Sequence, residues 1–378
     1  MQWISTAAQM RALDRAAIEE RGIPSTQLME TAARAVAEEA AVLAGAPGPA
    51  LRACVFCGSG NNGGDGVAAA RFLREMGLDV RCILVGRREN MTAETREMED
   101  RLADAGGALE DFCPDDLELR AWVMGCRVLV DALFGIGLSR ELAGPFAAAV
   151  ALINASPAPT LAVDLPSGVE TDTGRVLGTA VAATVTVTFT RAKPGHYLGE
   201  GGDLCGRVKV VPIGIPEALT ESLPRQIKAV EPEDLTLPHR GRNTHKGDFG
   251  RIYILAGSVG YTGAPVLAAR GALRSGAGLI TLAVPEAIYP ILAVKCDEIM
   301  PRPLDNSYHE ILAQAAACDV VLMGPGLGRA PETQALVLSL LADLDGPVVL
   351  DADGLNAISG HIDEVYEGGY ALKSGTPT

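Results

Sequence analysis

The sequence predicts an α/β protein with two doubly wound domains, and three observations support this. Short apolar runs of strand length alternate with segments of helical apolar spacing along most of the chain. Glycine-rich and polar motifs follow the predicted strands, as is typical of the carboxyl edge of a parallel sheet. Proline-rich connections at 212–216 and 224–238 separate two such patterns, and a length of 378 residues favours two domains over one.

The first pattern begins with helices and continues as alternating strands and helices. Thr6 and Gln9 fit a capping box that opens a helix with Met10 and Leu13 on its apolar face. An alanine-rich helix is predicted over about 26–43. The predicted elements that follow are strand 53–57, a helix after 66, strand 80–85, helix 92–105, strand 127–131, helix 145–153, and strands 160–164 and 183–189.

The second pattern begins near Gly247 and repeats the same order. Strands are predicted at 251–256, 279–284, 320–323 and 348–350, with a helix at 265–275. Polar or glycine-rich segments follow three of these strands, at 257–258, 324–328 and 351–356. We expect two domains, residues 1–224 and residues 225–378.

The segment Cys54–Gly66 is the strongest local signal. An apolar strand runs directly into G-S-G-N-N-G-G-D-G, and a helical pattern follows. Glycines suit a backbone that takes positive φ or touches a ligand, and the free N–H groups of a helix start attract anions. We therefore predict a nucleotide- or phosphate-binding loop. The G-x-G-x-x-G match at Gly58, Gly60 and Gly63 is weak by itself, and arginines at 87–88 keep an NADP-dependent oxidoreductase open as an alternative.

Composition excludes several classes of function. The net charge of −15 argues against broad binding to nucleic acid or to anionic membranes, and no apolar run is long enough to span a bilayer. The first residues do not resemble an export leader. Cys54 and Cys57 form a C-x-x-C inside a predicted buried strand without a second pair, so we expect inert core thiols. A cytoplasmic protein that binds neither nucleic acid nor membrane is expected.

Several motifs occur together in a fixed order. The first half contains G-S-G-N-N-G-G-D-G, D-A-L-F-G-I-G-L, D-L-P-S-G and K-P-G-H, and the second contains H-K-G-D-F-G, T-G-A-P, G-P-G-L-G and D-A-D-G-L-N. This set resembles the bifunctional NAD(P)H-hydrate repair enzymes. The resemblance implies an N-terminal Rossmann-like three-layer domain that epimerises NAD(P)HX, the hydrated nicotinamide cofactor. It also implies a C-terminal ribokinase-like domain that dehydrates NAD(P)HX with ADP.

The resemblance also implies roles for residues of the first domain. Asp164 is expected to contact substrate and to act as the acid/base, because it follows a predicted strand directly, with Lys193 beside it. Potassium ligands are expected at Asn62, Asp131 and Ser167, whose oxygen atoms suit a hard cation. The remaining substrate contacts that the resemblance implies are Asn61, Asn62, Gly63, Gly64, Asp65, Gly135, Ile136, Gly137, Leu138, Ser139, Arg140 and Glu141.

In the second domain the resemblance implies substrate contacts at Ala264 and Gly328. The sequence after Asp363 does not continue the family pattern, and the G-x-G-D segment that carries the catalytic base of the dehydratase is missing. We therefore expect an incomplete ribokinase-like domain with little or no ADP-dependent activity.

Two alternatives to the epimerase remain open at this stage. An NADP-dependent oxidoreductase would transfer hydride and bind the unhydrated cofactor more tightly than its hydrate. A non-catalytic nucleotide-binding module would bind ligand without turnover and would tolerate loss of Asp164. Whichever function holds, we expect a homo-oligomer, and the helical N-terminus offers a surface through which it could form.

Overall fold

A computed structural model describes residues 2–45, 51–223, 227–236, 239–304 and 307–362. The chain forms two units, Met1–Leu235 and Thr236–Thr378. The border predicted at 224/225 falls outside the described residues. The first unit includes the strand Ile227–Ala229, which pairs antiparallel with Gln2–Ile4. The sequence pattern gave no sign of this pairing, since both strands have only three residues.

The first unit is built on a seven-stranded sheet in which every pairing is parallel. The strands of the first unit, of which β1 and β9 form a separate two-stranded sheet, are β1 (Gln2–Ile4), β2 (Arg52–Cys57), β3 (Asp79–Leu84), β4 (Leu109–Asp111), β5 (Val128–Ala132), β6 (Thr160–Val163), β7 (Val185–Phe189), β8 (Arg207–Val211) and β9 (Ile227–Ala229). The large sheet has the order β4-β3-β2-β5-β6-β7-β8. The chain therefore reverses direction across the sheet between β2 and β5, which makes this position the topological switch point.

Helices cover both faces of this sheet and complete three layers. They are α1 (Ala7–Arg15), α2 (Ser25–Ala44), α3 (Asn61–Glu75), α4 (Ala93–Asp104), α5 (Leu117–Met124), α6 (Pro145–Ala155), α7 (Gly199–Leu204) and α8 (Glu217–Glu221). The predicted capping box is present, because Thr6 Oγ1 accepts from the N–H of Gln9 and Gln9 Oε1 accepts from the N–H of Thr6. One apolar cluster lies under α1 to α4, and a second lies under α5 and α6.

Glycines at the start of α3 serve close packing. The helix begins at Asn61, inside the segment that we expected to be loop. A Cβ atom at Gly63 would lie 1.7 Å from the carbonyl oxygen of Gly58, and one at Gly66 would lie 2.4 Å from Ala132 Cβ. Neither glycine has positive φ. These glycines are required because α3 lies almost directly against the ends of β2 and β5.

The C-x-x-C pair is divided between the two faces of the sheet. Cys54 belongs to the cluster under α5 and α6, whereas Cys57 belongs to the cluster under α1 to α4. Burial raises the pKa of both thiols well above the usual value. The prediction of inert core thiols agrees with this placement, because the two sulfur atoms face opposite ways and both are held neutral.

The second unit has a five-stranded parallel sheet of order β12-β11-β10-β13-β14. Its switch point lies between β10 and β13. The strands are β10 (Arg251–Leu255), β11 (Leu279–Val284), β12 (Met300–Pro303), β13 (Val320–Met323) and β14 (Val348–Leu350), and the helices are α9 (Gly263–Ser275), α10 (Tyr289–Lys295), α11 (Tyr308–Ala316), α12 (Pro331–Asp343) and α13 (Asp353–Ala357).

The prediction of two doubly wound α/β domains is confirmed. The elements that sequence periodicity missed are short, such as β4 and β12, or partly exposed, such as β8. The departure from the family pattern after Asp363 lies outside the described residues. Within the part of the chain that the structure describes, no helix combines the length and apolarity needed to cross a bilayer.

Candidate active site

A cavity of about 550 Å³ opens at the switch point of the first unit. The carboxyl ends of β2, β5, β6 and β7 form its floor, and residues of α1 and α2 complete its wall. The charged and amide side chains that line it come from four separate parts of the chain, and they are Arg11, Asp14, Asn61, Asn62, Asp65, Asp164 and Lys193. The topology of the sheet therefore brings most of the predicted polar residues to one place.

Asp164 and Lys193 form a buried ion pair on the floor of this cavity. Lys193 Nζ lies 2.5 Å from Asp164 Oδ1, and Thr188 Oγ1 lies 2.6 Å from the same Nζ and 2.9 Å from the same carboxylate oxygen. The side chain of Lys193 is only 1% exposed. Burial works to raise the pKa of Asp164, but the charge and hydrogen bond of Lys193 outweigh it and hold that pKa below its usual value. Asp164 is thus an ionised carboxylate in a largely desolvated site.

His196 fixes the backbone of both members of this pair. Its Nδ1 accepts from the N–H of Lys193 at 2.9 Å, so the ring proton is on Nε2, which donates to the carbonyl oxygen of Asp164 at 2.8 Å. Burial lowers the pKa of His196 to about 4, so the ring stays neutral at neutral pH. Asp164 has a φ of 68°, a left-handed conformation that aspartate tolerates better than most residues. The histidine therefore holds an uncommon backbone geometry in place.

The first turn of α3 contributes Asn61, Asn62 and Asp65 to the cavity wall. A Cβ atom at Gly135 would lie 2.8 Å from Asn62 Oδ1 and 2.9 Å from Asp164 Oδ2, so both side chains border this glycine. The Nδ2 atom of Asn62 is buried without a hydrogen-bond partner. Burial, together with the charge of Asp164, raises the pKa of Asp65 well above its usual value. This turn thus presents unpaired polar groups and the N-terminus of a helix to the cavity.

Asp131 and Ser167 are also brought together, although they are 36 residues apart. Ser167 donates to the Asp131 carboxylate from its N–H at 2.8 Å and from Oγ at 2.6 Å, and its Oγ accepts from the N–H of Phe134 at 2.9 Å. Burial raises the pKa of Asp131 to about 6. In the described part of the chain no basic side chain pairs with this fully buried carboxylate. A buried carboxylate and a hydroxyl fit a hard cation such as potassium. Asn62, the third predicted ligand, lines the cavity, whereas Asp131 and Ser167 lie outside its lining.

The predicted loop from Gly135 to Glu141 contributes only its first half. Gly135, Ile136 and Gly137 line the cavity, whereas Leu138 is buried in the core under α5 and α6. The side chains at 139–141 are exposed and lie outside the cavity lining. Gly63 and Gly64 likewise lie inside the packed start of α3, where a Cβ at Gly64 would lie 2.7 Å from Met29 Cε. A direct role for these residues in substrate contact stays a prediction.

Sequence reasoning missed the contribution of α1. Arg11 and Asp14 both line the cavity, and Arg11 Nη1 donates to the carbonyl oxygen of Ile136 at 3.3 Å. Asp14 follows Met10 by four residues, so a carboxylate lies beside the apolar face of this helix. That charged position beside an apolar stripe is the signal that the sequence offers for this contribution.

In the second unit the predicted motifs also meet at the switch point, but mainly through backbone groups. The N–H of Gly257 donates to the carbonyl oxygen of Pro325 at 2.9 Å, and Ser258 Oγ donates to that of Gly326 at 2.8 Å. The N–H of Gly328 donates to Asp353 Oδ2 at 2.8 Å. A Cβ atom at Gly326 would lie 3.0 Å from Ala264 Cβ, so both predicted contact residues belong to this cluster.

The fold and the first site define a doubly wound α/β enzyme with its reactive groups at a topological switch point. Residues 25–195 match the family model for the YjeF-related protein N-terminus, and residues 252–370 match that for NAD(P)H-hydrate dehydratase. The chain belongs to the family of bifunctional NAD(P)H-hydrate repair enzymes.

Relatives described as bifunctional NAD(P)H-hydrate repair enzyme Nnr match almost the whole chain. The protein from Thermofilum pendens is 38% identical over 366 residues, which cover 94% of this chain and 69% of the relative. Those from Moorella thermoacetica and Pyrobaculum aerophilum are both 40% identical, and each match covers 94% of this chain. The matches cover 70% and 71% of these two relatives.

These findings bear on two of the earlier expectations. The prediction of an incomplete and inactive dehydratase domain gains no support, because both domain models match in their expected places. The oxidoreductase alternative is also disfavoured by the contacts of Arg88, one of the two arginines that suggested it. Arg88 is bound to Glu99, Asp111 and the carbonyl oxygen of Leu109, so its guanidinium is already engaged within the protein.

Proposed function

We propose that the first unit interconverts the R and S epimers of NAD(P)HX in the cavity at its switch point. The observation that carries this proposal is the buried Lys193–Asp164 pair, which places an ionised carboxylate in a desolvated cavity beside the start of α3. A reaction that only inverts one carbon needs proton transfer and positioning rather than a redox group. This cavity offers both.

The chemistry follows from the carbon that is inverted. C6 of the hydrated ring bears a hydroxyl and is bonded to N1, so inversion passes through loss and return of the hydroxyl or through ring opening. Either route needs one group that donates a proton and one that accepts it. Asp164 is the acceptor in this proposal, because Lys193 keeps it ionised. Asn61, Asn62 and the N-terminus of α3 would bind the ribose and phosphates.

Potassium would be held by Asp131 and Ser167, with the side-chain oxygen of Asn62. It would supply positive charge close to the phosphates and offset the buried charge of Asp131. The support is the donor set itself, which contains oxygen atoms only, and the absence of a basic partner for Asp131 in the described residues.

For the second unit we propose ADP-dependent dehydration of S-NAD(P)HX, with Ala264 and Gly328 near the substrate. The family match over residues 252–370 supports this assignment. Cytoplasmic location and homo-oligomeric assembly stay predictions of the sequence.

The test is an exchange assay with separated R- and S-NADPHX, with and without potassium, and with ADP added in parallel. We expect rapid equilibration of the epimers, faster with potassium, and formation of NADPH in the tubes that contain ADP. Exchange at the uncatalysed rate would refute the epimerase proposal, and exchange without NADPH would limit the activity to the first unit.

Asp164→Asn tests the role of the carboxylate. Asparagine also tolerates a φ of 68°, which preserves the backbone, but it leaves the buried Lys193 without a charged partner. The rate is therefore measured on variant protein that circular dichroism shows to be folded. We expect kcat for epimerisation to fall by about 10²–10⁴-fold. Asp100→Asn, which alters an exposed carboxylate on α4, is the matched control and should leave the rate unchanged. A parental rate in Asp164→Asn would remove Asp164 from the mechanism.

A further inference from the structure

Asp14 is a carboxyl group in the active-site cavity that has no role in the mechanism so far. It lies on α1 and lines the cavity together with Asp164 and Lys193. Its side chain is partly buried, and among the described residues it forms neither a hydrogen bond nor an ion pair. A partly buried carboxyl group without a bonded partner is costly for folding when ionised, so its presence points to a use outside stability.

The charges around the cavity favour a proton on Asp14. The groups that face it are Asp65 from α3, Asp164 after β6, Lys193 after β7, and Arg11 from its own helix. Lys193 is already in contact with Asp164. Burial, opposed by the charge of Lys193 and reinforced by that of Asp164, raises the pKa of Asp14 to about 6. The pKa of Asp14 is therefore raised while that of Asp164 is lowered, which is the usual arrangement of an acid and a base in one site.

We propose that Asp14 donates the proton to the C6 hydroxyl that leaves, and that Asp164 accepts the proton of the water that returns. This inference rests on the proposed epimerase function. The two carboxyl groups come from different walls of the cavity, one from a helix and one from the end of a strand. They can therefore address opposite faces of a ring bound between them.

The step balances without a redox partner. The C6–O bond breaks as oxygen takes the proton of Asp14 and leaves as water, while the lone pair of N1 forms an N1=C6 double bond. Water then attacks the other face of C6, the electrons of the double bond return to N1, and Asp164 takes a proton from the new oxygen. The configuration at C6 is thereby inverted. Asp14 and Asp164 regain their starting protonation by exchange with solvent.

The experiment measures epimer exchange between pH 5 and pH 8 for the parent, Asp14→Asn, Asp14→Glu and Glu19→Gln. Glu19 is exposed on the helical segment that continues α1 and lies outside the cavity lining, so Glu19→Gln controls for loss of charge. We expect Asp14→Asn to lower kcat by about 10²–10⁴-fold, with KM within about threefold of the parent. Glu19→Gln should match the parent.

The pH profile separates proton transfer from a structural role. In the parent, kcat/KM should fall as pH rises through about 6, because Asp14 loses the proton that it donates. Asp14→Glu should keep this fall of kcat/KM with rising pH, although its kcat is reduced. Asp14→Asn should show no such fall. Exchange in H₂¹⁸O should place ¹⁸O in the epimerised product during the first turnover.

Several results would overturn the proposal. These are a parental kcat in Asp14→Asn, a change confined to KM, an Asp14→Glu variant whose kcat/KM does not fall with rising pH, and a product without ¹⁸O. If Asp14→Asn does not fold, as judged by circular dichroism, the pH profile of kcat/KM in Asp14→Glu becomes the deciding test of the proposal. A parent that fails to exchange epimers would refute the epimerase function and this inference together, whereas the variant results refute only the inference.

Discussion

The two units share one topology but differ in how deeply their switch points are buried. In the first unit, β5, β6 and β7 are buried along their whole length, and α1 and α2 wall a cavity above them. In the second unit, β13, which borders the switch point, alternates partly buried and fully buried residues. The comparison indicates that the parallel sheet brings the motifs close together, whereas the helices packed around them exclude water from the site.

The ion pairs at the two switch points differ in the same way. Lys193 and Asp164 are 2.5 Å apart and almost fully buried. Arg329 Nε lies 3.7 Å from Asp353 Oδ1, and the arginine side chain is 77% exposed. Water screens the second pair, so it contributes little, whereas the first pair is shielded from water. In the first unit this buried pair therefore holds the pKa of Asp164 below its usual value.

The largest expected effect comes from breaking the buried pair. Lys193→Met should destabilise the first unit by about 3–5 kcal/mol, because Asp164 is left as a buried charge without a partner. The matched change Arg329→Met should cost less than about 1 kcal/mol. Urea unfolding followed by tryptophan fluorescence reports on the first unit, since Trp3 and Trp122 both lie there. The effect of Arg329→Met can be followed by hydrogen exchange in the second unit. Equal losses of stability in the two variants would refute the contrast between the buried and the exposed ion pair.

A second test concerns the close packing at the two motif loops. Gly63→Ala would place a Cβ 1.7 Å from the carbonyl oxygen of Gly58, so the backbone must move, at a cost of about 2–3 kcal/mol. Gly60→Ala has open space around it and serves as the control. In the second unit Gly324→Ala meets Asp351 O at 1.7 Å and should destabilise only that unit. A tolerated Gly63→Ala would show that α3 can shift without loss.

The smallest expected effect is a change with pH in the free energy of unfolding of the first unit, caused by His196. Its pKa is about 4 when folded against about 6.5 when unfolded, so below pH 6.5 the unfolded chain binds a proton that the folded chain lacks. Stability from this group falls as pH falls, by about 2 kcal/mol between pH 7 and pH 5. Asp14 and Asp131 have raised pKa values of about 6 and oppose this trend.

The difference between the parent and His196→Asn isolates the histidine. Asparagine can keep one donor and one acceptor at this position but does not titrate. We expect the parent to lose about 2 kcal/mol relative to the variant between pH 7 and pH 5, measured by urea midpoints. A constant difference across this range would mean that the imidazole is not held neutral.

The sequence alone determined the class of fold and the positions of its main motifs. Alternation of strand-length and helix-period apolar runs predicted two doubly wound units, because both periods are local properties of the chain. The strand ends at Asp131 and Asp164 were predicted within one or two residues. The placement of the motifs at the carboxyl ends of the strands follows from the same local order of strand, loop and helix.

Only the tertiary structure decided which of these residues meet. Asp164 and Lys193 are 29 residues apart, and Asp131 and Ser167 are 36 apart, so their contacts depend on the order of strands in the sheet. The place of Asp14 in the cavity depends on where α1 packs against that sheet. Strand order and packing arise from long-range burial, which a local pattern does not encode, and the same burial sets the pKa values that separate an acid from a base.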